Sequence, residues 1–502
     1  MTTRWSRGAV ISRISRYSEP RCRWRKAAWL ALFGACASCE AADALETQGV
    51  EGTDPPVIGW QVRPSIELGG QVAGERRLFW NLSDVVAREA GFNNDRHWWE
   101  FYVKPSVALT YAWGGGKQFY SRLSAVGSGT ARRDAFDAGN TGRLTLEEGV
   151  IGVRLPIGDG DTLLDLSAGP QTYSLGTGML ISNGGSNGFS RGALKLGPRK
   201  AFQNTAIARL SSGPWKAEAF YLDPNENPDS NSHTQLAGAA LIYRPAPDRQ
   251  IGLSYGGVTH STAPYPQAAL GGIGPPEIIS DARNGLRFVY GFMRMPVLEG
   301  TVPQAWVGAD LAREWNARYP MRAWGGRVEF GFGMPTLPGT PKVTLGYQSF
   351  SGDNPTTGRQ ERFDPLYYEG SPGDWATGSK SSMVFINTNV NALQAAIEFQ
   401  LSKQDVLTVY LAHVRANRLG SPLQFGQATR VVSVAGAPAV ISGVTNAHLS
   451  NDLFFKYTRA INRHTYLTAG YSASFPGAGI DSLVGRKAPT WTGWFANMVL
   501  VY

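Results

Sequence analysis

The sequence predicts an all-β fold: a transmembrane antiparallel β-barrel of 18 strands with short periplasmic turns and long extracellular loops. Three observations carry this expectation. They are an N-terminal export signal, period-2 segments of about ten residues separated by turn residues, and connections sorted into short and long. Composition agrees. Of the 502 residues, 42% are hydrophobic and 17% charged, and there are 60 glycines and 30 prolines. Mean hydropathy is -0.21, too low for a helical membrane protein, and 11% aromatic content argues against disorder.

Residues 1–44 read as a secretory signal peptide. Arg4, Arg7, Arg13, Arg16, Arg21, Arg23, Arg25 and Lys26 form a long basic n-region. The apolar run 27–37 is the h-region, and Ala42-Asp43-Ala44 supplies the A-x-A cut site. The run is too short to cross a bilayer as a helix, which needs about 20 residues. A membrane anchor is the alternative reading. Cys22, Cys36 and Cys39 are the chain's three cysteines, so the formal C-x-x-C at 36–39 leaves with the leader. Leu32 to Cys36 also loosely resembles a lipoprotein cleavage box, with Phe33 where a smaller residue is usual. Eight basic and three acidic residues fall in this segment. Five units of the formal +9 therefore belong to it, and +4 remains beyond it. That balance does not argue for nucleic acid. Residues 45–57 read as a polar periplasmic lead and 58–502 as the barrel.

The strands come from strict alternation. Trp60, Val62, Ile66 and Leu68 oppose Gln61, Arg63, Ser65 and Glu67. Val103, Val107, Leu109, Tyr111 and Trp113 oppose Lys104, Ser106 and Thr110; Ile251, Leu253 and Tyr255 oppose glycines and Ser254. Leu286, Phe288, Tyr290 and Phe292 oppose Arg287, and Leu467 to Phe475 repeats the pattern. Tight turns are expected at 113–117, 156–161, 244–249, 335–341, 401–404 and 459–464. Long loops are expected at 81–96, 170–200, 257–284, 351–382 and 416–447. Both termini of a bacterial barrel face the periplasm, so the strand number is even. Merging 60–80 into one first strand, bent at Gly69-Gly70, gives 18. The last strand places Trp494, Ala496, Met498, Leu500 and Tyr502 on one face. Trp494, Met498, Leu500 and Tyr502 thus resemble the C-terminal signal read by the barrel assembly machinery, an expected partner alongside outer-membrane lipid.

A barrel this wide holds a lumen whose charges tune passage. Strand parity sends Arg63, Arg77, Lys104, Arg122, Arg154, Arg209, Lys216, Arg287, Arg327 and Lys456 inward. Glu67, Glu75, Glu148, Glu218, Asp310, Glu329 and Asp452 follow as inward acids. An anion-attracting path and a balanced wall of cross-strand ion pairs both fit these residues. The loop 170–200 is the candidate constriction through Arg191, Lys195, Arg199 and Lys200; an external loop is the alternative.

Catalytic and metal patterns are weak. Asp223 to Asp229 opens like a calcium loop, but it lacks the glycine at the sixth position and has Thr234 where a bidentate glutamate belongs. Gly188-Phe-Ser-Arg-Gly192 spells G-x-S-x-G without a strand before it or a helix after it. The six histidines show no ligand spacing. No enzyme activity, metal or cofactor is expected.

Family-level likeness lies towards the C-terminus. Gly346-Tyr-Gln-Ser-Phe-Ser-Gly-Asp-Asn354 is followed by Arg362-Phe-Asp-Pro-Leu-Tyr-Tyr368, then His448 to Tyr457, then Thr468 to Gly477. In order and spacing these resemble the alginate export family of outer-membrane porins. Leu166 to Gln171 stands where that family has a G-R-Q type motif, with Pro170 in place of the arginine. The resemblance implies an 18-stranded monomeric barrel passing an anionic polysaccharide. The expected function is therefore an outer-membrane channel for anionic oligo- or polysaccharides by diffusion. A porin for uptake of small organic acids or other nutrients is the alternative, and a non-conducting barrel enzyme or scaffold is a third.

Overall fold

Alternating sequence becomes antiparallel ladder over most of the chain. The computed structural model describes residues 58–502 except 83–91, 159–160, 273, 371–374, 376–384, 424–431, 435–436 and 440–442. The leader and the periplasmic lead lie outside the described residues. Eighteen strands form one sheet. The first six are β1 (Gly59–Arg76), β2 (Arg96–Trp113), β3 (Lys117–Arg133), β4 (Gly139–Ile157), β5 (Thr162–Ala168) and β6 (Phe202–Ser212). Next come β7 (Trp215–Pro224), β8 (Gln235–Ala246), β9 (Arg249–His260), β10 (Leu286–Pro296), β11 (Trp306–Asn316) and β12 (Ala323–Gly333). The last six are β13 (Lys342–Phe350), β14 (Val390–Gln400), β15 (Asp405–Ala416), β16 (His448–Asn462), β17 (Thr465–Pro476) and β18 (Trp491–Val501).

The sheet closes on itself. β1 pairs with β2 from Gly59↔Ala112 to Glu75↔Arg96, and with β18 from Glu67↔Val501 to Arg76↔Thr492. Closure removes the free edges that an open sheet this wide would expose. Connections at the end holding Gly59 of β1 and Val501 of β18 are short, such as 213–214 and 463–464. At the other, extracellular end lie 169–201, 261–285, 351–389 and 417–447. The sorting is looser than expected: at that end 134–138 and 317–322 are also short, and a helix, α1 (Ala478–Val484), sits between β17 and β18.

Polarity is reversed relative to a soluble protein. Trp60, Val62, Leu253, Tyr255, Leu311, Val328, Leu393 and Trp494 are exposed on the outside, while Glu100, Glu148, Asp310, Glu314, Gln348 and Asp452 are buried within. A wall with apolar side chains out and polar ones in is stable only in a bilayer.

The interior is not simply water-filled. Loop residues Tyr173, Leu175, Met179, Leu180 and Ile181 pack against the inward Phe220, Leu222, Phe288, Tyr290 and Phe292. A second cluster joins Leu78, Phe79 and Trp80 to Trp98, Trp491 and Phe495. β1 is one strand, as the even count required, but it ends at Arg76. Arg77, Phe79, Trp80 and Asn81 have left-handed backbone and turn the chain inward. A Cβ at Gly69 would overlap the Tyr102 ring, so this glycine clears the ring that bonds Glu67.

Candidate functional site

Every second residue of a strand faces the inside, so adjacent strands bring opposite charges together across the ladder. Arg122 pairs with Glu148 at 3.4 Å, Arg154 with Asp165 at 3.0 Å and Arg209 with Glu218 at 3.2 Å. Lys216 also reaches Glu218 at 2.6 Å, Arg327 reaches Glu329 at 3.3 Å and Lys342 reaches Glu398 at 3.5 Å. Lys104 stands opposite Glu67 in register, and Lys456 opposite Thr408. Arg63 donates to Gln61 at 3.2 Å. These groups are mostly half-exposed towards the periplasmic end, whereas inward residues of the extracellular half are buried. The same parity turns Asp165, Lys342 and Glu398 inward.

Two residues are elsewhere. Arg287 points outward and is exposed, because Leu286, Phe288, Tyr290 and Phe292 turn inward onto the loop cluster. Their apolar alternation serves a packed interior rather than lipid. Arg77 lies past the end of β1, exposed, its backbone N–H donating to Asp95 at 2.8 Å.

The loop 169–201 folds into the barrel. Arg191 donates to the Asn225 carbonyl at 2.9 Å and to Asn225 Oδ1 at 3.0 Å. Lys195 Nζ pairs with Glu75 at 3.2 Å and lies over the Trp98 and Phe495 rings. Arg199, fully buried, donates to Thr145 Oγ1 at 2.8 Å, Ser128 Oγ at 2.7 Å and the Arg143 carbonyl at 2.9 Å. These cations anchor the loop to the wall instead of forming an open basic ring.

Two carboxylates seat that loop. Glu100 accepts the backbone N–H groups of Lys195 and Leu196, both at 2.9 Å, and Trp98 Nε1 at 2.7 Å. Glu147 accepts Lys200 N at 2.7 Å and Ala201 N at 2.8 Å. Register shifts by one residue between Ser124 and Ala125, so Ser124 faces Glu148 while Ala125 faces Leu146. That bulge buries Glu147 and Glu148 together, which strict alternation forbids.

Asp134, in the turn 134–138, lies beside Gly188 of the loop 169–201, where an added Cβ would sit 3.7 Å from Asp134 Oδ2. Its Oδ1 accepts Phe136 N at 2.8 Å and Ala138 N at 3.1 Å, and Oδ2 has no partner. Burial pushes its carboxyl up to about 7, with the Glu100 charge adding. A group whose folded pKa is raised binds its proton better when folded. Stability is then lost as pH rises from about 4 to about 7. Thermal unfolding is expected at higher temperature at pH 5 than at pH 8, and Asp134→Asn should flatten the difference.

The segments resembling the alginate export family form the outer lock. Asp353 accepts Glu361 N at 2.8 Å, Arg362 N at 3.0 Å, Ala268 N at 3.0 Å and the Tyr265 hydroxyl. Arg283 grips Asp364 through Nε at 3.0 Å and Nη2 at 3.3 Å. Gln171 ties β5 to β6 through Thr205 Oγ1 at 2.6 Å.

Elsewhere on the inner wall, buried amides keep unused hydrogen-bonding groups. Gln348, fully buried on β13, has no partner for either side-chain atom, and it sits opposite Arg327 in register. Gln394 Nε2 on β14 is likewise without a partner. Thr468 Oγ1, Asn497 Oδ1 and Gln71 Nε2 form a second row of unused polar atoms, aligned across β17, β18 and β1. Arg327 lies 3.8 Å from the Trp375 ring centroid. Sequence parity places these amides inward, but an amide carries no charge to draw notice.

Ser190 of the G-x-S-x-G segment is exposed on a short 3-10 turn, Phe189–Arg191, between left-handed Gly188 and Gly192. The oxygens of 223–229 are engaged locally: Asn227 accepts Asp229 N, and Glu226 accepts Ser232 and Tyr367. Among the described residues, no three His, Cys, Asp or Glu side chains converge as a metal site.

Against known families, the pattern described as Alginate export matches residues 197–493. This chain belongs to the alginate export family. The match spans both the wall β6–β17 and the Asp353–Asp364 lock, and it begins after the Leu166–Gln171 segment. Among solved structures, the alginate export barrel is similar to Acinetobacter baumannii OccAB2, with TM-score 0.50 and 10% identity over 88% of this chain and 98% of that one. Pseudomonas aeruginosa OpdL gives TM-score 0.49 and 8% identity over 88% and 98%. Pseudomonas aeruginosa OccD3 (OpdP) gives 0.49 and 10% over 91% and 97%. At these identities the likeness concerns the fold. No curated protein matches the chain. Family and architecture together describe an outer-membrane channel, a transport protein.

Proposed function

We propose that this channel passes an anionic saccharide of the alginate type by diffusion. The observation that carries the reading is the inner wall, where arginine–carboxylate pairs stand beside buried amides with unused donors and acceptors. An arginine fork can exchange a wall carboxylate for that of a uronate. Glutamine amides match sugar hydroxyls, which both donate and accept. Arg327, Gln348 and Gln394 on three neighbouring strands offer both chemistries together. Family membership supports the same substrate class. The reading includes a monomeric barrel exported by a cleaved leader, with Trp494, Met498, Leu500 and Tyr502 of β18 as the handle for assembly.

Single-channel recording tests it. Oligouronates are expected to block the current, and Arg327→Ala combined with Gln348→Ala should raise the half-blocking concentration about tenfold or more. A hydrogen bond to a charged group contributes about 1.5–3 kcal/mol, and about 1.4 kcal/mol is a factor of ten. Equal block by a neutral glucan of the same length would contradict the assignment. Block by small organic acids alone would favour a nutrient porin.

A further inference from the structure

Arg287 belongs to a grouping on the outer surface of the barrel. It faces Trp315 across the β10–β11 ladder. One row nearer the periplasm, Arg313 faces Val289 on β10 and Trp324 on β12. Arg322, two residues before Trp324, shares its outward face by strand parity, and Arg318 lies in the short connection 317–322. All four arginines are exposed. Among the described residues none of their side chains makes a hydrogen bond or ion pair. The wall on their periplasmic side is apolar, with Leu253, Leu311 and Val328 exposed. Tyr255 and Trp315 lie 6.1 Å apart between ring centroids.

This places unneutralised guanidinium groups among an aromatic belt, at the height where the apolar band gives way to headgroups. Four cations held together without counter-charge repel one another, and a bound polyanion relieves that repulsion. The sequence-predicted lumenal role of Arg287 is absent here, and the loops that fill the interior lie on the other side of the wall. A lipid with an anionic head meets both the apolar rows and the cations above them.

We propose that the extracellular rim of β10–β12 binds the phosphate groups of a phosphorylated glycolipid of the outer leaflet through Arg287, Arg313, Arg318 and Arg322. Guanidinium groups pair bidentately with phosphate, the indoles of Trp315 and Trp324 lie against the glycolipid's carbohydrate–acyl boundary, and acyl chains follow the apolar wall.

Binding of bisphosphorylated lipid A and of the same lipid stripped of phosphate is measured on the detergent-purified full-length barrel by native mass spectrometry. The wild type is expected to prefer the bisphosphorylated form at least tenfold. Arg287→Gln, Arg313→Gln and Arg322→Gln combined should abolish that preference while single-channel conductance stays unchanged. Should the triple variant fail to fold, Arg313→Gln alone is expected to reduce the preference several-fold. Equal binding of both lipids by the wild type, or a preference that survives the substitutions, overturns the proposal. Competition by equimolar inorganic phosphate also overturns it, since the site would then take a soluble anion rather than lipid.

Discussion

Glu100→Ala is expected to release the loop 169–201 from the wall and raise single-channel conductance several-fold. The carboxylate accepts two backbone N–H groups and the Trp98 indole, all in the barrel interior. Each buried donor left without an acceptor costs about 1–3 kcal/mol. Water entering a loosened interior recovers part of this, leaving about 3 kcal/mol, or roughly a hundredfold shift in loop docking. The ladder that closes the barrel does not depend on Glu100, so heat-dependent mobility of the folded barrel should persist. Faster proteolysis between 170 and 200 would accompany the conductance change. Unaltered conductance with unaltered cleavage would show that the loop is held by something other than this carboxylate.

Arg283→Ala should loosen the outer lock by about 3–5 kcal/mol, the range for removing one partner of a buried ion pair. Asp364 would lose both guanidinium contacts while keeping its bond from Leu366 N at 2.9 Å. Glu314, whose Oε2 accepts Asp364 N at 2.8 Å, would then face a second carboxylate without the intervening cation. Hydrogen exchange at 353–368 is expected to accelerate about a hundredfold or more. Replacing both partners, as Arg283→Met with Asp364→Leu, should recover much of the protection, because neither charge is then stranded. Equal exchange in the single and double variants would remove the ion pair from this role.

The sequence carried the wall better than what fills it. Alternation at Trp60–Leu68 and Leu467–Phe475 suffices for strands, because a bilayer outside and charged groups inside impose period two. The same logic failed at Leu286–Phe292. There an apolar face meets folded-in loops, and sequence does not distinguish a lipid-facing phenylalanine from one facing a plug. Arg287 followed its strand to the wrong side. At Glu147 a single-residue bulge defeated parity. At Arg77 the pattern ran on past the strand, where Phe79 and Trp80, packed against Trp491 and Phe385, adopt left-handed backbone. Loop cations were visible as a cluster at 191–200. Their anchoring role depends on Glu75, Glu100 and Glu147, about 50 to 120 residues away in sequence and joined only by closure of the barrel.

The paired wall also bears on selectivity. Arg122, Arg154, Arg209 and Lys216, all half-exposed, each have a carboxylate within reach. Partly exposed pairs of this kind contribute only about 0–1 kcal/mol each. They therefore exchange readily, which suits transient contacts along a diffusion path more than a single tight site. Passage, rather than affinity, is the property to measure.

Flux into proteoliposomes tests that directly. Vesicles containing the full-length barrel are offered an oligouronate and a neutral glucan of equal length. The anionic oligomer is expected to enter several-fold faster than the neutral one, and faster than into protein-free vesicles. Equal or faster entry of the neutral glucan, or no entry of the oligouronate above protein-free vesicles, would contradict a channel for anionic saccharides.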